Sequence, residues 1–479
     1  MTAPHLSRQP PPKPPVRPRN WPPPSVPPSS RHVVRMPHRF PAPRRPLAVD
    51  ALAAAAGLGL GISLALGISS QTVSALHAPG GIATALGRVT GMLSGYAMVV
   101  IVLLSARIPP LERALGQDRL IVWHRRLAPW GLYLLLAHAV LITVGYARAA
   151  KTGLLAEIGQ LLWSYAGILS ATVGSALLLA AGVTSYRRAR RRMKYETWWA
   201  VHLYTYLGLG LSFIHQIDTG APFVGHPLAT TWWTSLWVGA LVVVLTFRVG
   251  LPLYRSVRHD LRVAQISPAG PNTWSIVLSG RHLEKLPTAG GQFMMWRFLR
   301  RELWWQAHPY SLSATPQAGH LRITVKELGD HSTALSCLTP GTRVAFEGPY
   351  GVFTADARQS RNVLLVGAGV GATPIRALLD DLPRDTHVVV LLRGTRPEDI
   401  AHLDEFERLV TKRRGLLHTL TGPRHTLRLD APSLHTLVPD IAGRDVFVCG
   451  PDEFTRRVVT AARDAGVPAA HIHHEDFTF

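Results

Sequence analysis

Cysteine is almost absent from these 479 residues. The two present, Cys337 and Cys449, lie far apart and neither belongs to a CxxC, which excludes a disulfide framework and any zinc or iron–sulfur site built on cysteine. Acid is scarce as well, with 29 Asp and Glu against 51 Lys and Arg, a formal net charge of +22. That excess does not mark a nucleic-acid groove. The basic residues gather in a Pro/Arg-rich head and in short loops between apolar runs, the distribution that orients a chain in a membrane, so no nucleic-acid partner is expected. Charged residues are only 17% of the chain and apolar ones 47%, with a mean hydropathy of +0.14, a balance unusual for a soluble enzyme. Residues 1–46 contain no Asp or Glu, and the stretch PPPKPPVRPRNWPPPSVPPSS has nothing to bury. They read as a disordered Pro/Arg-rich cytoplasmic tail touching anionic lipid, with no apolar core near the start to suggest a signal peptide.

What is there, next, is six apolar runs near the ~20 residues that a bilayer requires. They cover residues 47–69, 82–105, 120–146, 161–186, 197–217 and 230–251, within a transmembrane domain spanning 47–256. The connecting loops alternate. SQTVSALHAPGG and HQIDTGAPFVGHP hold no Lys or Arg, whereas ARIPPLERALGQDR and YRRARRRMKYE are basic, and Arg255, Arg258 and Arg262 follow the sixth run. An excess of positive charge on the inner side then puts both termini in the cytoplasm of a multi-pass protein of the cell membrane. Residues 258–355 change texture to short alternating runs such as WSIVL and LRITV, which predict an antiparallel β-barrel. Residues 362–479 alternate strand, Gly-rich turn and helix, which predicts an α/β nucleotide-binding domain. The expected fold class is multidomain: a six-helix α transmembrane bundle, an antiparallel β-barrel and an α/β domain.

Two runs carry paired histidines. His124 and His138 are fourteen positions apart in the third, and His202 and His215 thirteen apart in the fifth. At 1.5 Å per residue each pair is separated by about 20 Å, one member near each membrane face. Two such helices make two sandwiches, each able to grip a flat macrocycle from both sides, and imidazole is a common axial ligand of haem iron. Intramembrane ionisable groups are rare and usually functional. Fourteen residues return nearly to the same helix face and thirteen do not, so the fifth span must be distorted or tilted, or its two haems rotated. Gly208 and Gly210 lie between its histidines and permit distortion.

Histidine pairs with these spacings on the third and fifth of six helices resemble the ferric reductase/NADPH oxidase family. The resemblance implies two b-type haems, an inner one on His124 and His202 and an outer one on His138 and His215. Arg88, in LGRVTGMLSGY of the second span, resembles that family's arginine near the outer haem, where it pairs with a propionate or lies beside the acceptor; snorkelling to the outer interface is the other reading of it.

AGGQFMMW, HPYSLSA, VKELGDHSTAL and EGPYG, in this order, resemble the FAD domain of the ferredoxin–NADP reductase superfamily. The likeness implies a flavin ring against Tyr310, a hydrogen bond from Ser311 near its hydride-accepting nitrogen, and a diphosphate over Gly329, Ser332 and Thr333, flanked by His308 and Pro309. His308 stands where many soluble relatives carry arginine. In NVLLVGAGVGATP, Gly367, Gly369, Gly371 and Thr373 form a strand-to-helix turn suited to a dinucleotide diphosphate. VFVCGPDEF adds Cys449, Gly450 and Pro451 at a later strand end. The chain closes HHEDFTF, and the family's near-terminal aromatic over the flavin corresponds to Phe477, with Phe479 as the alternative. Arg393 and Arg396, after the second strand of this domain, favour the 2′-phosphate of NADPH over NADH.

The resemblance implies electron flow from cytoplasmic NADPH through FAD and two haems to an external acceptor. Ferric chelate is favoured over dioxygen, because Ile142 occupies the position one turn after His138 where family oxidases tend to carry a further histidine. Besides the lipid bilayer and this small-molecule acceptor, a membrane protein partner, a quinone or a second copy of the chain are open as partners.

Overall fold

The computed structural model describes residues 46–190, 193, 195–316, 319–423 and 429–475. The tail and the last four residues, with Phe477 and Phe479, lie outside the described residues.

The membrane half is helical. It comprises α1 (Pro46–Ser69), α2 (Val73–His77), α3 (Gly81–Ser105), α4 (Pro109–Leu115), α5 (Gln117–Ala150), α6 (Leu154–Ser164), α7 (Ile168–Ser185), α8 (Arg187–Arg190), α9 (Tyr195–Thr219), α10 (Pro227–Val244) and α11 (Leu251–His259). A π-helical turn, Leu245–Gly250, joins α10 to α11 as one rod from Pro227 to His259. Among the described residues, five helices are long and apolar enough to cross a membrane: Val49–Ser69, Gly81–Ser105, Arg119–Ala150, Ile168–Ser185 and Pro227–His259. The helix expected as the fifth span, α9, has the length but not the composition. Its histidines, tryptophans and tyrosines lower its apolar character, which is the cost of carrying ligand-type side chains.

Two expected spans change shape. The fourth, expected over 161–186, is broken between α6 and α7 by Gly167, which sits at φ +76°. A Cβ there would come within 2.9 Å of the His215 backbone nitrogen, so only glycine allows this turn to lie against α9. The sixth runs eight residues beyond 251, because α11 leaves the apolar zone and packs on the following β domain.

That domain is an antiparallel sheet of β1 (Leu261–Gly270), β2 (Thr273–Ser279), β3 (Phe293–Phe298), β4 (His308–Ser311), β5 (His320–Lys326) and β6 (Arg343–Tyr350), with α12 (Asp330–Ala334) after β5. The strand order is β4-β3-β6-β1-β2-β5. Among the described residues an isolated antiparallel bridge, Leu312 to Ile323, links the two edges of this antiparallel sheet, the element that the alternation led one to expect as a barrel. Trp296, Phe298, Phe346, Ile276 and Leu278 fill its inner face.

The last domain is a parallel sheet of β7 (Asn362–Ala368), β8 (His387–Arg393), β9 (Leu416–Leu420), β10 (Asp445–Cys449) and β11 (Ile472–Glu475), ordered β11-β10-β7-β8-β9. Helices α13 (Ala372–Asp381), α14 (Leu403–Lys412), α15 (Ala431–Leu437) and α16 (Asp452–Asp464) complete it. Two apolar clusters cover opposite faces of the sheet, as its continuous apolar strands require. Its strand order reverses between β7 and β10, the kind of position where open α/β sheets bind ligands.

Candidate functional site

The paired histidines meet across the bundle. His124 on α5 faces His202 on α9 with ring centroids 6.2 Å apart, and His138 faces His215 at 6.4 Å. α9 achieves this as one continuous helix, and the ring planes differ by 62° in the first pair and 39° in the second. The thirteen-residue spacing is thus accommodated without a break in the helix, and the two pairs differ in ring orientation. Gly208 instead opposes Gly174 of α7, whose carbonyl oxygen would lie 2.8 Å from a Cβ at 208. Small residues at this crossing bring the two backbones together.

Each α5 histidine is held by a backbone carbonyl. His124 Nδ1 donates to the Ile101 oxygen at 2.9 Å, and His138 Nδ1 donates to the Gly87 oxygen at 2.7 Å. A carbonyl only accepts, so the proton is on Nδ1 and Nε2 keeps its lone pair. Gly91 clears space for the second ring, since a Cβ there would lie 2.6 Å from His138 Nδ1. His202 stacks on Trp198 with centroids 5.1 Å apart, and its Nδ1 lies 3.4 Å from Ser185 Oγ. His215 Nδ1 is buried without a hydrogen-bond partner.

A metal bound by imidazole sits about 2 Å from the nitrogen, itself about 1 Å from the ring centre, so a metal between two rings sets them about 6 Å apart. Both pairs have that spacing. Among the described residues no three His, Cys, Asp or Glu gather as a metal-binding group. A bare ion would therefore lack ligands, whereas two axial ligands suffice for iron already held in a planar macrocycle. Arg88 lies one residue from Gly87 and donates to Gln71 Oε1 at 3.4 Å.

In the β domain, Tyr310 is half-buried on β4, and burial pushes its phenol well above the usual range. Ser311 is buried with its Oγ unpartnered. His308 stacks on His331, ring centroids 3.6 Å apart, and neither nitrogen of His331 has a partner. Burial, then the neighbouring His308, holds His331 down to about 4. Orphaned buried polar atoms at Ser311 and His331 are what a polar ligand along this edge would satisfy. Ser332 Oγ is engaged in the turn, accepting from the Leu328 and Gly329 amides at 2.8 and 3.1 Å. The Thr333 amide donates to the Gly329 oxygen at 3.0 Å. Pro309 pairs with Met295 on β3. His331 escaped the sequence reading although it lies inside GDHST, because nothing local announces that it stacks on a residue of another strand.

In the α/β domain the two Gly-containing motifs converge at the switch point. Gly367 and Cys449 are paired in register, and a Cβ on Gly371 would lie 2.3 Å from the Cys449 oxygen. Gly369 takes φ +57°. Gly450 packs between Phe454 and Ala368, and Pro451 precedes α16. Thr373 Oγ1 donates to the Val370 oxygen at 2.7 Å and so stiffens the turn. The two cations expected at a 2′-phosphate are both engaged. Arg393 donates to the carbonyls of Gly394, Leu420, Gly422 and Pro423, which fasten the loop after β9. Arg396 is exposed and pairs with Asp399 and Glu398 at 3.1 and 3.3 Å. Of the two, Arg396 is the more exposed.

Comparison with known proteins bears on both halves. The family described as ferric reductase like transmembrane component matches residues 90–213, and a FAD-binding domain family matches residues 259–354. The chain is 30% identical over 187 residues to ferredoxin–NADP reductase B of Sorangium cellulosum, covering 35% of this chain and 77% of that protein. It is 22% identical over 304 residues to ferric/cupric reductase transmembrane component 1 of Candida albicans, 62% of this chain and 37% of that protein. This chain belongs to the ferric reductase family. It is a membrane oxidoreductase whose reductase module binds FAD and NAD(P)H. A flavohemoprotein of Xylella fastidiosa is 27% identical over 206 residues, 40% of this chain and 51% of that protein, so the chain spans only about half of that relative. The ferric reductase match includes His124, His138 and His202 and stops two residues before His215.

Proposed function

We propose that this ferric reductase family member passes electrons from cytoplasmic NAD(P)H, through FAD and two b-type haems, to an acceptor on the opposite membrane face, with ferric chelate as the substrate class. The observation that carries the reading is the pair of imidazole sandwiches at 6.2 and 6.4 Å, with the α5 tautomers set by carbonyls. His124 and His202 would hold the inner group and His138 and His215 the outer one. When bound, FAD accepts a two-electron hydride and haem iron carries single electrons.

The chain's own residues define the rest. Tyr310 backs the flavin ring and Ser311 supplies a hydroxyl beside it. His308, Pro309 and His331, with the Gly329–Thr333 turn, line the diphosphate. Gly367, Gly369, Gly371, Gly450 and Pro451 admit the nicotinamide dinucleotide next to Cys449, and Arg396 favours NADPH. His138 and His215 would both be committed to holding the outer haem, so an acceptor would take its electron without binding to the iron, near Arg88. Ile142, packed on Gly87 one turn from His138, leaves that margin apolar and without a second imidazole, which favours a bulky chelate over dioxygen. Both termini then face the cytoplasm. Detergent-purified protein is expected to show a reducible b-type Soret band and faster NADPH-driven reduction of ferric citrate than of oxygen. Absence of the band would sink the haem assignment, and a strong NADH preference the role of Arg396.

A further inference from the structure

Where the membrane helices meet the β domain, a charged cluster gathers around a buried carboxyl that the redox reading does not use. Glu112 on α4 is 8% exposed, and its Oε1 has no hydrogen-bond partner. The groups facing it come from four segments. Arg107, in the turn after α3 at φ +63°, holds its guanidinium 4.1 Å above the Tyr350 ring, with Nη1 buried and unpartnered. Arg248, in the π turn, pairs with Glu347 at 3.4 Å, and Arg255 of α11 donates to the Gly348 carbonyl. Glu347 and Tyr350 belong to β6. Ser256 completes the seam by accepting from the Phe346 amide at 3.1 Å, and Gly116 lies against Val352.

The seam is tied to the flavin edge by strand register. Tyr350 pairs with Phe293 on β3, and Phe293 pairs with Ser311 on β4, so one row of the sheet runs from the Arg107 contact to Ser311 across about 10 Å. The Phe293 and Tyr350 rings are 5.8 Å apart. A shift of the β6 end is therefore a shift of the row that holds Ser311.

We propose that Arg107 and Glu112 are positioning residues that seat the Glu347–Tyr350 end of β6 on the membrane bundle, and that proton binding by Glu112 tightens this seat. The proposal rests on the reading that the flavin lies along Tyr310 and Ser311. Neutral Glu112 leaves the three guanidinium groups to Tyr350, Glu347 and the Gly348 carbonyl. Ionised Glu112 competes for the same cations and draws them off β6. Glu112 lies outside the membrane-spanning helices, and burial pushes its carboxyl up to about 7, with Arg107, Arg248 and Arg255 pulling the other way and Glu347 adding to the push. A carboxyl raised in the folded state contributes its stability fully below its ordinary value and loses it as pH rises to the folded value, so the seat is firmest in acid, loosens as pH approaches about 7 and has lost the proton's contribution above it.

The test is hydrogen exchange of residues 106–117 and 343–352 in the full chain in lipid nanodiscs, at pH 6 and pH 8, corrected for intrinsic exchange. A group titrating near 7 passes from about nine-tenths to about one-tenth neutral over that interval, so wild-type protection is expected to fall about five- to tenfold. Glu112→Gln is expected to keep the pH 6 protection at both values. Equal wild-type protection at pH 6 and pH 8 overturns the proposal without recourse to any variant, and so does a wild-type pH response in Glu112→Gln. This readout requires neither haem nor acceptor, so it stands or fails apart from the redox reading. Stopped-flow rates supply the functional arm. NAD(P)H reduction of flavin is expected to match in the two proteins, while onward oxidation of the flavin slows from pH 6 to pH 8 only in wild type; parallel changes in both rates would mark a merely structural role and overturn the positioning role.

Discussion

Large apolar side chains are exposed in the membrane half of this molecule and hidden in the nucleotide-binding half. Leu58, Trp130 and Leu155 are 66%, 65% and 86% exposed, whereas Val363 through Val366 are completely buried. The same side chains meet two solvents. In water, burial of apolar area drives the two cores around the parallel sheet together at about 25 cal/mol per Å². In lipid that drive between helices vanishes, and specificity passes to small residues and to polar groups paired across helices. The membrane half shows this in the Gly174–Gly208 crossing, in Ser94 Oγ donating to the Gly131 oxygen at 2.9 Å, and in the histidines locked to carbonyls.

The contrast predicts where single changes hurt. The largest effect is expected from His138→Ala in the membrane half. About half of the bound haem absorbance should vanish and transmembrane reduction should fall at least about 100-fold, with FAD content unchanged. An unaltered haem spectrum would refute the outer sandwich. Next, in the soluble half, Gly371→Val would drive a side chain into the Cys449 carbonyl. A destabilisation of roughly 3 kcal/mol is expected, with NAD(P)H binding lost in a calorimetric titration.

Glu405→Ala tests the polar seam of the soluble half, where Glu405 pairs with Arg322 and Arg376, both at 2.7 Å, and joins β5 to α13 and α14. Burial opposes ionisation of Glu405, but His402, Arg322 and Arg376 outweigh it and hold the carboxyl far below its usual range. That contribution is fully present above the ordinary carboxylate value and is lost progressively as pH falls below it toward the depressed folded value. Removal should cost roughly 2 kcal/mol in thermal unfolding, discounted for partial exposure.

The smallest effect is the sharpest on the comparison itself. In water, Gly→Ala inside a helix stabilises by about 1 kcal/mol. Gly208→Ala should instead destabilise by about 1–2 kcal/mol, because its Cβ meets the Gly174 carbonyl, while Gly210→Ala, with open space around it, should be neutral or mildly stabilising. Equal responses at 208 and 210 in a detergent unfolding assay would remove the close-crossing role.

Legibility in the sequence followed the range of the interaction. Apolar runs, loop charge, His124/His138 spacing and the order of the Gly motifs are local patterns, and each reports how one segment partitions or turns. The break at Gly167 was not legible, because its reason is the backbone of His215, forty-eight residues on. Arg393 looked like a phosphate ligand from strand position alone, yet its guanidinium fastens carbonyls of the loop after β9. His331 and Glu112 carried no signal, since their significance lies in a ring and a strand contributed by distant parts of the chain.

By itself, then, the sequence determined that this protein divides between lipid and water, which helices carry the histidine pairs, and where the glycine-rich strand-to-helix turn falls. Only the tertiary structure decided that His202 and His215 both reach their partners from an unbroken helix, and that Arg107 and Glu112 grip β6. Partition and turn formation depend on the residues of one segment. The meeting of an imidazole, a carbonyl and a carboxyl from different segments depends on how whole helices and strands pack, which no local pattern encodes.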